Sequence, residues 1–523
     1  MNSGRLIMPA LRYRPETGFG HEAGAIADAL VLGVGGFIIF GGTTETVRRL
    51  TADLLRRAER PLLIASDLER GPGQQVTGLT EFPPPGALAS LEDPAVTRWA
   101  GAVTAQEARA VGINWVFAPV ADLDVLPENP IVQTRAFGDD PNRVATFVRH
   151  WIEGCQSSGA LACAKHFPGH GRTTADSHIS LPVVDIEAER LRASDLIPFA
   201  VAIESGVASL MTAHVAYPRL DPGGLPATLS KVILGDLRDR MGFDGLVVTD
   251  ALIMDGALEG RRESDAAVEA VQAGVDILLY PNDPRRVKEA LEQALASGAV
   301  ASERLAQALG RYQRALELAT APTPPVTRGP FDSAAALADK LLGDGMLRGS
   351  APRLTGPLDL ITIDDDVGGP YAPSPGDWTE RALGPELVGR YGGGSRVVLA
   401  FAEPRAWKGR SGFSQPSLEA LANHAPAADL IVLFGHPRLL DELPTDAPVL
   451  LAWHRQRLMQ DAVARWVRGR VESRKYNVES PKSNVEGWSE GGGSWVSSRG
   501  SASDEGSTPV VSGTADKIPR SLP

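Results

Sequence analysis

The chain has 523 residues and a formal net charge of −12, too long for one hydrophobic core and too acidic, with no run of Lys and Arg, to suit a nucleic-acid partner. Apolar residues make up 43 % and charged residues 22 %, as in globular proteins, and no window approaches the ~20 apolar residues of a membrane span. Two cysteines, Cys155 and Cys163, exclude a disulfide framework, and the start MNSGRLIMPALRYRPETG lacks the order of a signal peptide, so a cytoplasmic location is expected.

From about residue 20 to 320, helical patterns alternate with the short runs GGFIIF, PLLIAS, INWVFAPV, ALACA, ASLMTA, GLVVT and VDILLY. Each run is apolar on both faces, as strands of a buried parallel sheet are. About seven strand-then-helix units over this length predict an α/β fold with a catalytic (β/α)8 TIM-like barrel over 1–320. A doubly wound sheet fits the same periodicity. The polar residues favour the barrel: Asp67, Asp122, Lys165 with His166, His214 and Asp250 each stand just past a run. In a barrel those carboxyl ends share one mouth. One such residue alone could be a helix N-cap.

The stretch APTPPVTRGP opens a proline-rich linker and bridging helix, 321–350. Beyond it PLDLITID, SRVVLAF, DLIVLFG and PVLLAW predict a smaller α/β sandwich domain over 351–472. From 473 to 523 the chain is rich in Ser and Gly without periodicity, and disorder is expected.

Residues 160–184, ALACAKHFPGHGRTTADSHISLPVV, hold His166, His170, Asp176 and His178. These types could bind zinc, but Pro and Gly in FPGHG preclude the helix on which an H-E-x-x-H pair sits. In the D-x-H pair, Asp176 can fix the tautomer of His178 and raise its basicity, making His178 a general acid/base; a plain turn-stabilising contact is the alternative. Asp250, ending a strand amid apolar residues, suits a nucleophilic carboxylate. In LLIASDLERGPGQQV, Asp67 leaves the strand first and glycines follow, without a phosphate-loop pattern. Arg135, in TRAFGDDP, can fork two hydrogen bonds to a ligand or form a salt bridge.

Together these stretches resemble glycoside hydrolase family 3, in its β-N-acetylglucosaminidase-type subgroup, where KHFPGHG and DSH are characteristic. The resemblance also takes in INWVFAPVADLD, MTAHVAYPRLD, GFDGLVVTDALIMDGA and, in the second domain, DLIVLFGHPRLL, so that it spans most of residues 1–472. It implies retaining, exo-acting cleavage of β-glucosides or β-N-acetylglucosaminides. Asp250 would be the nucleophile forming a glycosyl-aspartate, His178 the acid/base and Asp176 its orienting partner. Asp67, Arg135, Lys165 and His166 would grip the terminal sugar, and His214 would line the pocket. The pattern D-x-E-G-G-R reads DLERGPGQQV here, so an expected arginine is missing and Gln75, a further substrate-binding candidate, stands with Gln74 in its neighbourhood.

A histidine in the acid/base role leaves no second carboxylate to repel an anionic acceptor. With Lys165, Arg135 and the imidazoles expected to make the mouth cationic, inorganic phosphate is the favoured acceptor, ahead of water. A β-glycoside phosphorylase that takes a small β-linked saccharide or aryl glycoside, uses no metal or organic cofactor and has no membrane or nucleic-acid partner is the resulting expectation.

Overall fold

The computed structural model describes residues 2–175, 177, 180–258, 260–322, 329–343, 345–367, 374–389, 393–404 and 408–472. Asp176, His178 and the tail from 473 lie outside the described residues.

The first sheet contains β1 (Ile7–Met8), β2 (Ala10–Arg12), β3 (Gly36–Phe40), β4 (Leu63–Ser66), β5 (Trp115–Val116), β6 (Leu161–Phe167), β7 (Ser209–Thr212), β8 (Leu246–Thr249) and β9 (Leu278–Leu279). From β2 to β8 each strand pairs in parallel with the next. β9 pairs in parallel with β1, and a bridge between Val248 and Ile277 joins it to β8. β1 and β2 are two halves of one strand interrupted at Pro9, which has no N–H for the ladder. Eight strands thus close into a barrel. The strand over 7–12 escapes the sequence pattern because Pro9 and Arg12 break its apolar run.

Side-chain alternation divides each strand between two cores. Met8, Ile38, Trp115, Cys163 and Val248 belong to an inner cluster, whereas Ile7, Ile39, Val116, Ala164 and Val247 pack outward beneath the helices. Helix Ser302–Thr320 adds Tyr312, Ala315 and Leu316 to the inner cluster and closes the amino end of the barrel, where Tyr312 donates to the Gly35 carbonyl (2.7 Å). At the other end the period of two runs out into polar residues. Leu63 and Ala65 are followed by Asp67, Leu161 and Cys163 by Lys165, and Leu246 and Val248 by Asp250. Lys165 and His166 lie within β6 rather than after it.

A second sheet holds β10 (Leu347–Arg348), β12 (Asp359–Asp364), β13 (Arg396–Ala402), β14 (Leu430–Gly435) and β15 (Val449–Leu451), while β11 (Leu354–Thr355) pairs with β16 (Val471–Glu472). Strands β12 to β15 are parallel in chain order, and β10 runs antiparallel along β15. The bridging helix is Ala334–Gly343, and it shares one core with helix Arg457–Arg468 and this sheet. Both sheets lie within one compact unit, Met1–Glu472.

Candidate active site

The mouth is organised around Lys165. Its Nζ donates to Asp67 Oδ1 (2.7 Å) and pairs with Glu69 Oε1 (2.7 Å). Glu69 in turn receives both arms of the Arg135 fork, Nε to Oε2 at 2.9 Å and Nη2 to Oε1 at 2.8 Å. Burial pushes the Glu69 carboxyl up, but Arg135 and Lys165 outweigh it and hold the group well below its ordinary value. Burial likewise disfavours the Lys165 ammonium, and Asp67 and Glu69 reverse that effect. The fork that the sequence assigns to a ligand therefore grips Glu69, with 27 % of the Arg135 side chain still exposed.

A second chain of contacts starts at Asp122, which is fully buried. Its Oδ1 accepts the backbone N–H of His166 (3.1 Å) and of His170 (2.7 Å), and its Oδ2 accepts Nδ1–H of His166 (2.7 Å). The His166 ring is thus held by one nitrogen, with Nε2 on its other side. His170 meets Thr173 Oγ1 through Nδ1 (2.9 Å) and Ser177 Oγ through Nε2 (3.1 Å). Because the Thr173 hydroxyl donates to the His170 carbonyl, it accepts from Nδ1–H, and Ser177 donates to Nε2. Burial, then the neighbouring His166, pushes the His170 imidazole down to about 4. It is a neutral ring hydrogen-bonded at both nitrogens, which holds the turn in place.

Ser177 stands in the sequence between Asp176 and His178 and is buried. Its carbonyl accepts from Gly256 N (3.0 Å), six residues past Asp250. A Cβ on Gly256 would lie 2.7 Å from that carbonyl oxygen, so only glycine permits this approach. Asp250 is partly exposed, one residue beyond β8, and its Oδ1 accepts from Ala251 N (2.7 Å). His214 is 1 % exposed, with Nδ1 against Thr228 Oγ1 (2.8 Å) and Nε2 against the Ala251 carbonyl (3.1 Å). It braces the strand end that bears Asp250. Gln75 Oε1 accepts from Gly41 N (3.0 Å) at the carboxyl end of β3, and Gln74 Oε1 accepts from Arg70 N (2.9 Å).

The second sheet reaches the same loops. Arg70 meets the His454 imidazole and donates to Gln456 Oε1 (3.2 Å), while Asp124 meets His436 Nε2 (2.9 Å) and Arg438. The loops carrying Asp67 with Glu69 and Asp122 are therefore each held from both sides. Sequence reasoning places Asp122 at the rim without giving it a framework role, and it assigns no role to Glu69. The available signal was the acids in SDLER and APVADLD, close after the apolar runs; nothing in the sequence points to the Arg70–His454 contact. The expected cationic mouth is not found in the described residues: Lys165 and Arg135 share the site with Asp67, Glu69, Asp122 and Asp250. No group of three His, Cys, Asp or Glu side chains among the described residues is placed to hold one metal ion. No helix among them is long and apolar enough to cross a membrane.

Comparison with known proteins accords with this architecture. Residues 21–315 match the profile described as "Glycosyl hydrolase family 3 N terminal domain". The chain is 36 % identical over 290 residues to a "Beta-N-acetylglucosaminidase/beta-glucosidase" of Cellulomonas fimi, covering 54 % of this chain and 51 % of the relative, so it spans about half that protein's length. It is 38 % identical over 274 residues to a "Beta-hexosaminidase" of Nitrosospira multiformis, covering 50 % and 76 %. Among solved structures, a glycoside hydrolase family 3 β-N-acetylglucosaminidase from Paenibacillus sp. str. FPU-7 superposes with TM-score 0.74 at 27 % identity, over 90 % of this chain and 96 % of that one. The β-glucoside phosphorylase BglX shares the fold with TM-score 0.74 at 24 % identity, over 90 % and 91 %. With more than half of its length under the family profile and a barrel mouth built on the residues that the profile spans, the chain belongs to glycosyl hydrolase family 3.

Proposed function

We propose that the protein is a retaining, exo-acting β-glycosidase that removes terminal β-linked N-acetylglucosamine or glucose. The observation that carries this is the position of Asp250, which continues the inward period of β8 into the mouth that holds the Asp67–Lys165–Glu69–Arg135 network. Asp250 attacks the anomeric carbon while His178, oriented by Asp176, protonates the departing oxygen. The bond to the leaving group breaks as the glycosyl-aspartate bond forms. His178 then takes a proton from the acceptor, which displaces Asp250. Asp67, Lys165 and the Nε2 side of His166 hold sugar hydroxyls. Arg135 acts through Glu69, and His214 through the strand end. The names of the relatives support the substrate class.

Water is the acceptor that the geometry favours, because the cations of the mouth are matched by carboxylates. Phosphate is the second reading, and one feature favours it: the assigned acid/base is a histidine, so an anionic acceptor would not face a second carboxylate at the position of attack.

The test is turnover of an aryl β-glucoside and an aryl β-N-acetylglucosaminide, each with and without phosphate. Hydrolysis of at least one with net retention, and loss of about three or more powers of ten in kcat for Asp250→Asn, is expected. Formation of a glycosyl 1-phosphate with phosphate-dependent release selects the phosphorylase. Full activity in Asp250→Asn, or loss of activity on chelation, would overturn the assignment.

A further inference from the structure

The strand ends that carry Asp67, Asp122, Lys165, His214 and Asp250 occupy only part of the rim. Around the ring the strands run β8, β9, β2, β3, β4, so the arc between Asp250 and Asp67 is closed by the carboxyl ends of β9, β2 and β3. Three large side chains stand there. Arg12 follows Ala10 in the inward period of β2 and is in register with Phe40 of β3. Its guanidinium carbon lies 4.5 Å from the Phe40 ring centroid and 5.1 Å from that of Tyr280, and its Nε donates to the Tyr280 hydroxyl (2.7 Å). Phe40 and Tyr280 both pack on the inner barrel cluster, and all three residues are partly exposed. Tyr280 takes φ +50 to reach this position, a conformation that costs a non-glycine residue about 1 kcal/mol or more and is concentrated at functional sites.

Gln75 Oε1 accepts from Gly41 N, one residue past Phe40, and so holds the end of β3 at this corner. A guanidinium reaches the same corner from β2. Stacking against two aromatic faces with Nε tied fixes the plane of the Arg12 fork, so little rotamer freedom is lost when it binds oxygen acceptors.

The geometry points to Arg12, clamped by Phe40 and Tyr280, as a further substrate-binding residue that donates hydrogen bonds to an oxygen substituent of the terminal sugar and so helps to set which sugar is accepted. This rests on the glycosidase reading of the mouth.

The test is calorimetric binding of non-cleavable methyl 1-thio-β-glycosides, the parent glucose and N-acetylglucosamine compounds and analogues lacking one ring hydroxyl at a time, to the wild type and Arg12→Met. In the wild type, deleting the hydroxyl that meets Arg12 weakens binding by about 10- to 100-fold, as for a hydrogen bond to a charged group. In Arg12→Met the same deletion costs less than about threefold, while the other deletions keep their wild-type penalties. Should Arg12→Met fail to fold, Arg12→Lys and Tyr280→Phe replace it, each expected to reduce the penalty at that hydroxyl alone. Equal penalties at every position in the wild type and the variant, including a uniform loss across the series, overturn the inference. Because binding is read without turnover, a wild type that binds the thioglycosides but cleaves no aryl glycoside counts against the proposed activity and leaves the Arg12 test standing; a wild type that binds none of them overturns both.

Discussion

His170 offers the sharpest link between geometry and a measurable quantity. Its ring is 3 % exposed and hydrogen-bonded at both nitrogens, and its pKa is pushed down to about 4 from the 6.5 it has in an unfolded chain. The fold therefore binds fewer protons at this site than the unfolded chain does. The contribution is complete above pH 6.5 and is lost as pH falls from there to about 4, amounting to about 3 kcal/mol in all. Between about pH 7.5 and about pH 5 the loss is about 2 kcal/mol. The structural reason is burial, reinforced by the neighbouring His166; a charged imidazole would also require the Ser177 hydroxyl to turn from donor to acceptor at Nε2. The assay is urea unfolding of the wild type and His170→Gln at the two pH values. The amide can still meet Thr173 or Ser177 but cannot titrate, so any constant cost of the substitution cancels when the two pH values are compared. The wild type should lose about 2 kcal/mol more than the variant on acidification. Buried carboxylates with lowered pKa values, such as Glu69 and Asp122, stay ionised across this window and do not contribute. Equal losses in the two proteins would show that His170 titrates normally and that the buried, neutral assignment is wrong.

Two further substitutions probe the framework. Glu69→Gln leaves Arg135 without its carboxylate and Lys165 with only Asp67, and should cost about 3 kcal/mol of stability by denaturant unfolding; a double variant with Lys165→Met should lose less than the sum of the two, and a Glu69→Gln midpoint within about 0.5 kcal/mol of wild type would refute a buried network. Gly256→Ala drives a Cβ to 2.7 Å from the Ser177 carbonyl and 3.1 Å from those of His214 and Ser180. Backbone must move, at about 1–3 kcal/mol. Because Ser177 stands in the sequence between Asp176 and His178, the proposed acid/base pair, turnover of aryl glycosides with poor leaving groups should fall more than that of activated ones, and a uniform change across a leaving-group series would contradict the link.

Much of this protein is written locally. Runs apolar on both faces announce parallel strands, because a strand covered on both sides must be apolar at every position. PLLIAS, ALACA and GLVVT accordingly became β4, β6 and β8. Asp67, Lys165 and Asp250 could be picked out because a period of two, extended past the end of an apolar run, places a charge in the mouth. The family, too, was legible in short quoted stretches. The broken strand over 7–12 was not, since its pairing partners lie at 38–40 and 278–279 and its own sequence has no uninterrupted apolar run.

What the tertiary structure alone decided is which charges meet. Arg135 and Glu69 are 66 residues apart, Lys165 and Asp67 are 98 apart, and Arg12 and Tyr280 are 268 apart. A cation read along the chain looks available to a ligand; folded, Lys165 and Arg135 meet the carboxylates of Asp67 and Glu69. The sequence determined the barrel and the residue types at its rim, because these follow from periodicity along one strand. The pairing of those residues depends on which strands become neighbours when the barrel closes, and that is a property of the ring.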